Sequence, residues 1–150
     1  MNEFNPTAEQ PVLVERVATA LSRNGYTHFL CLETLKVITL NEKLYFTEEE
    51  MDKIESAPDQ YLQILPYSDQ KRQQLRRLFV KRLADTTVQK ELLAAIESYD
   101  STSAFRRAIA QYDDICAQWH YFRDRYFLEE AKQWLYENGL GNLSTTQSNS

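Results

Sequence analysis

Four side chains of the kind that bind soft metals fall into two pairs, His28 with Cys31 and Cys116 with His120. The second pair is one helical turn apart, a workable chelate spacing for zinc. The first lies in the run His28-Phe-Leu-Cys-Leu32, which reads as a strand. Alternation along a strand puts residues three apart on opposite faces, so that pair cannot close on one ion. A cysteine–histidine couple for nucleophilic catalysis needs spatial contact that spacing does not supply. Both cysteines are accounted for as small buried hydrophobes. No metal and no cofactor is assigned.

Other catalytic equipment is missing from the pattern. The chain has only two histidines and three glycines. It carries no glycine-rich phosphate loop, no nucleophile elbow and no paired-histidine signature. The carboxylate run Glu48-Glu49-Glu50 stands where a helix should begin, and there it complements the macrodipole. The expectation is a protein that is not an enzyme and has no catalytic residue.

Binding chemistry is better represented. Arg106 and Arg107 follow Phe105 near an expected helix start, where guanidinium and backbone N–H groups together suit a phosphate or carboxylate. Arg123 could join them, and salt bridges to Asp100, Asp113 or Asp124 are the competing use. Seven aromatics crowd residues 119–136. Taking Ile115 as zero, Trp119, Phe122 and Tyr126 lie within about 40° of it, whereas Phe127, Ala131, Trp134 and Leu135 lie at about 100–200°. The apolar stripe shifts midway, so either the helix breaks near residues 123–126 or a single helix is buried on two sides. Most of these rings belong to a core. Tyr121 and Tyr136 sit off both stripes and are candidates for contact with a partner, together with Trp119.

Charge is uneven along the chain. The net charge is −5, with −5 carried by residues 42–59 and +5 by residues 67–90. Lys71, Arg76, Arg77 and Lys81 make the segment 71–82 the candidate for nucleic-acid association, although the cations wrap the helix instead of forming one aimed stripe.

The elements that must position these groups follow from the punctuation. Few glycines and prolines favour long helices over a turn-rich sandwich. Leu13, Val17, Ala20 and Leu21 share one helical face, closed by Asn24-Gly25. Two short apolar runs, 28–32 and 36–40, flank Glu33-Thr34-Leu35 and read as a hairpin. Thr47 with Glu50 reads as a capping box, and Pro58 ends that segment. Ser68-Asp69 starts a helix to about Ala84 that buries Leu75, Leu78, Phe79 and Leu83. Asp85-Thr86, with Gln89 three residues after Thr86, starts the next, burying Val88, Leu92, Leu93 and Ile96. Residues 100–103 cap a short helix holding Phe105, and Asp113-Asp114 opens the last, which reaches Asn138-Gly139. The predicted fold is mainly α within the α+β class: an N-terminal helix and β-hairpin packed on a bundle of about five helices. Residues 11–141 are expected to form one domain, between a loose 1–10 and a tail at 142–150.

No apolar run approaches the ~20 residues that span a bilayer, and the first residues lack a signal-peptide pattern. Two distant cysteines fit a reduced cytoplasmic setting.

Ser103-Ala-Phe-Arg-Arg, Trp119-His-Tyr-Phe122, Trp134-Leu135 and Gly139-Leu140 resemble the bacterial uncharacterised protein family 0158, over roughly residues 12–141. Residues 29–37 are similar to its hairpin. Cys31 stands where the family tends to have aspartate, and Leu35 where it has the turn glycine. The resemblance implies the hairpin-plus-helices fold and no particular chemistry. The functional expectation is a non-enzymatic cytoplasmic interaction or regulatory protein. It would bind another protein, or itself as a homo-dimer, with nucleic-acid association as the alternative and no membrane partner.

Overall fold

The computed structural model describes residues 6–41 and 48–141, with side chains over 13–40 and 51–141. The described chain falls into two compact units, residues 1–67 with 127–150 (unit 1) and residues 68–126 (unit 2).

Unit 1 is built on a three-stranded antiparallel sheet. Helix α1 (Pro6–Ser22) leads into β1 (Tyr26–Cys31) and β2 (Val37–Asn41). Its start at Pro6 falls inside the stretch whose composition suggests a loose end. Gly25 makes the turn after α1 at φ +85°, the conformation that its lack of a Cβ permits. Helix α2 (Glu48–Ser56) and a 3₁₀ turn (Pro58–Gln60) lead to β3 (Tyr61–Ile64). The strand order is β2-β1-β3. The hairpin is present as expected; β3 is an addition to it. The four residues of β3, set between Pro58 and Pro66, are too few to register an alternation, yet Ile64 is fully buried opposite His28. Helix α1 packs on β2 and β3, burying Leu13, Val14, Val17, Ala18, Ala20 and Leu21. The proposed Thr47 cap lies outside the described residues.

Leu35 sits in the hairpin turn at φ +59°. This is the left-handed region, where a Cβ costs roughly 1–2 kcal/mol and glycine costs none. The turn is held by Leu35 N–H donating to Cys31 C=O at 2.7 Å and Cys31 N–H to Lys36 C=O at 2.9 Å. Glycine also loses more entropy on folding, about 0.5–1 kcal/mol. The strain is the larger quantity, so Leu35→Gly is expected to raise the unfolding free energy by about 0.5–1 kcal/mol. Denaturant unfolding checks this, and a lowered midpoint would show that the leucine side chain contributes more than its backbone costs.

Unit 2 is helical. Helix α3 (Asp69–Val80) is capped by the Ser68 hydroxyl, which accepts from Lys71 N–H at 3.2 Å. It ends four residues before Ala84, because Gln89 Nε2 donates to the carbonyls of Val80 and Leu83 and draws the chain into the next turn. Helix α4 (Thr86–Ile96) is capped by Asp85, which accepts from Thr87 and Val88 N–H, so Thr86 and Gln89 form no capping box. Helix α5 (Ser101–Ile109) follows, and α6 (Asp113–Glu137) is the longest element.

Three burial expectations need correction. Leu78 is 44% exposed, and Leu83 and Leu93 are only half-buried. The buried arc of α3 runs from Leu75 through Phe79 to Val80, and Leu78 lies on the far side of Leu75 at about 100° per residue. The arc turns instead past Arg72 and Arg76. Burial pushes both guanidinium groups below their ordinary pKa.

Helix α6 is one unbroken helix. Its first half, through Tyr126, belongs to unit 2, and its second half, from Phe127, belongs to unit 1. The stripe shift read from the sequence falls at that junction. Trp119 is buried in unit 2, while Phe127, Ala131 and Leu135 are buried in unit 1. The helix closes with a Schellman turn: Gly139 at φ +79° donates to Tyr136 C=O at 3.1 Å, and Leu140 donates to Leu135 C=O at 2.7 Å. Tyr67 ties this end of unit 1 together, with its ring 5.1 Å from that of Phe127 and its hydroxyl donating to Glu130.

Candidate functional site

Unit 2 carries a solvent face made of arginines laid on aromatic rings. Beneath it lies an aromatic core. Phe79 meets Trp119 and Phe122 at 5.4 Å each, and Trp119 meets Phe105 edge-on at 5.2 Å. Trp119 is 8% exposed, so it anchors this core and is not a contact residue. Above it, Arg82 covers the half-buried Phe122 ring at 4.8 Å. On α6, Tyr121 is 65% exposed, and Arg125 lies over its ring at 5.6 Å while donating to its hydroxyl at 3.3 Å. Leu78, in the last turn of α3 and four residues before Arg82, adds an exposed aliphatic group. Residues at i and i+4 of a helix are neighbours, and so are those at i and i+3. Phe122–Arg125 and Tyr121–Arg125 are such pairs on α6, and Arg82 joins them through the Phe122 ring.

Of its members, Tyr121 was legible in the sequence as a ring off both stripes. Arg82, Arg125 and Leu78 were not singled out as binding groups. Spacing alone does not mark them, since only the folded chain lays Arg82 on the Phe122 ring and Arg125 on Tyr121.

The other candidates are placed elsewhere. Helix α5 begins at Ser101, so Arg106 and Arg107 stand in its last turn, beyond reach of the free N–H groups at its start. Arg107 pairs with Asp100 at 3.1 Å, and that bond holds the Asp100 carboxyl below its usual range. Arg106 is exposed. Arg123 pairs with its neighbour Asp124 at 3.0 Å. In the basic segment, Arg77 is bound by Glu97 through two N–H groups at 2.8 and 3.2 Å. Arg76 lies half-buried over the Phe105 ring at 5.7 Å. Lys71 and Lys81 are exposed. Tyr136 is 64% exposed, and it belongs to unit 1.

An open depression of about 270 Å³ separates α3 from the start of α5. Its groups bind one another: Gln73 donates to Ile96 C=O and to the Ser101 hydroxyl, and Arg76 reaches Thr102.

The histidine–cysteine pairs also resolve. His28 is 1% exposed, with Nδ1 3.0 Å from the Thr39 hydroxyl and Nε2 3.0 Å from Arg23 C=O. A carbonyl only accepts, so the network assigns the proton to Nε2 and leaves Nδ1 accepting from Thr39. Both cysteines are free. Among the described residues, no cluster of three or more His, Cys, Asp or Glu side chains could hold a metal.

Cys31, at the mouth of the hairpin turn, faces the Thr34 hydroxyl. That hydrogen bond, with N–H groups of Thr34 and Glu33, draws the thiol below its ordinary pKa against the opposing effect of burial. An acid whose folded pKa is depressed adds stability above its unfolded pKa, and this is lost as pH falls through the folded value. Thr34→Val removes the largest of these donors. It is expected to lower the urea midpoint more at alkaline than at acidic pH. An equal loss at both would show that the thiolate is not what Thr34 holds.

The model of the uncharacterised protein family UPF0158 matches residues 8–147. The chain belongs to this family. A family 0158 member from Pseudomonas aeruginosa, "UPF0158 protein PA5073", is 24% identical over 128 residues, covering 85% of this chain and 82% of its own. No solved structure matches. No helix among the described residues is long and apolar enough to cross a membrane.

Proposed function

We propose that this protein is a non-enzymatic cytoplasmic interaction protein that engages a protein partner through the Leu78–Arg82–Tyr121–Phe122–Arg125 face. The observation that carries the reading is Tyr121, 65% exposed under a guanidinium on a helix whose other large rings in unit 2 are buried or half-buried. A tyrosine–arginine pair joined by a hydrogen bond has less rotamer freedom left to lose on binding, and these two residue types are prominent in interface energetics.

A photo-crosslinking phenylalanine analogue at position 121, introduced in the native host, tests it. The expected result is a discrete higher-mass adduct that disappears when Arg125 is changed to alanine. No adduct at position 121, with efficient crosslinking at a control site, would remove the reading.

Nucleic-acid association through Lys71, Arg76, Arg77 and Lys81 is the competing reading. It requires binding that falls steeply with salt and is lost in Arg77→Glu with Lys81→Glu. The pairing of Arg77 with Glu97 and the half-burial of Arg76 leave it with less support.

A further inference from the structure

We infer that the arginine–aromatic face of unit 2 docks an acidic segment of a partner protein, one in which carboxylates flank an apolar side chain. The inference rests on the interaction reading above and names the chemistry of the partner.

The arginines of unit 2 differ in what they are bound to: Arg72 and Arg76 are half-buried, and Arg76 lies on the Phe105 ring and reaches Thr102 within the unit. Arg77, Arg107 and Arg123 each hold a carboxylate of their own unit. Arg82 and Arg125 differ. Among the described residues neither has a carboxylate partner, and each lies instead on a ring. A guanidinium held over an aromatic face is not used up by the ring: Arg125 spends one Nη1 N–H on the Tyr121 hydroxyl, and its other N–H groups, like those of Arg82, remain for a ligand. Such N–H edges are the geometry that a carboxylate takes bidentately. The ring beneath also fixes the fork in place, so little ordering remains to be done on binding.

Charge complementarity points the same way at longer range. Unit 2 holds eleven basic and eight acidic side chains, a net +3, within a chain of net −5. An acidic segment approaching this unit meets a field of opposite sign, which raises the encounter rate. Leu78 and Tyr121 supply the apolar contact that a purely charged ligand would leave unused.

Nucleic acid presents anions too, but the rings argue against it. Single strands are held by bases stacking on open aromatic faces. Here each exposed or half-exposed ring of the site already carries a guanidinium.

The test reads the composition of whatever reaches position 121. The crosslinked adduct is digested and the joined segment sequenced by mass spectrometry, in wild type and in the double variant Arg82→Glu with Arg125→Glu. The expected result is a partner segment with net negative charge and at least one aliphatic or aromatic residue, and an adduct yield at least tenfold lower in the double variant. Circular dichroism confirms that the variant is folded. Arg82→Lys with Arg125→Lys keeps the charge but not the planar fork, and an intermediate yield is expected. A neutral or basic segment, a nucleotide adduct or an adduct with a second copy of this chain would overturn the inference. A neutral or basic protein segment would still leave the interaction reading standing, whereas absence of any adduct would remove both.

Discussion

Replacing Trp119 by alanine is expected to cost about 3–5 kcal/mol of unfolding free energy, the range for truncating a large buried aromatic. The indole is 8% exposed and touches the rings of Phe79, Phe105 and Phe122, at centroid separations of 5.2 to 6.3 Å. It thereby joins α3, α5 and the first half of α6. Nothing nearby can fill so large a gap without moving a helix, so the cavity cost adds to the lost burial. Tyr121→Ala, two residues away and exposed, should change stability by no more than about 0.5 kcal/mol. Denaturant unfolding followed by circular dichroism separates the two. A Trp119→Ala loss below about 1 kcal/mol would mean that the residue is not the anchor of unit 2. Trp119→Phe retains part of the packing and is expected to fall between them.

The second large effect concerns His28. Its ring fills a fully buried position on the central strand β1, opposite Thr39 on β2 and Ile64 on β3. Leucine there matches the apolar surroundings but removes both hydrogen bonds. The Arg23 carbonyl and the Thr39 hydroxyl each lose a partner, and an unsatisfied buried polar group costs about 1–3 kcal/mol. Both partners stand nearer the surface than His28, and water can take up part of that loss. His28→Leu is therefore expected to lower stability by about 2–3 kcal/mol. Adding Thr39→Val should cost less than the sum of the two single changes, because Thr39 no longer has a bond to lose. Strict additivity in that cycle would show that the histidine acts through packing alone.

Much of the architecture was legible because local chemistry and burial agree. Gly25 and Gly139 stand at helix ends with positive φ, as their positions after apolar stripes implied. Ser68 and Asp85 cap their helices directly. The misses occur where a distant residue decides. Gln89 shortens α3 from outside it. Helix α5 starts at Ser101, which moves Arg106 and Arg107 from its first turn to its last. Residues 61–64 become a strand only because β1 offers a free edge. The site was harder to read. The off-stripe positions of Tyr121 and Tyr136 agree with the exposure of both rings and do not distinguish the two. Whether an arginine holds a carboxylate or a ring depends on tertiary neighbours, so nothing in spacing separated Arg82 and Arg125 from Arg77, Arg107 and Arg123.

The division of α6 has a consequence for how the chain comes into being. Unit 2 is one continuous stretch of sequence, whereas unit 1 is interrupted by it. As the polypeptide leaves the ribosome, the sheet and α1 emerge first, but they lack Phe127, Ala131 and Leu135, which arrive last. Unit 2 has every part it needs once residue 126 is clear. Domains generally fold as units during synthesis, N-terminal first. Here the order of completion is the reverse of the order of synthesis, and the earliest segment waits longest for its missing wall. In that interval the strand edges of unit 1 are the surface most in need of protection.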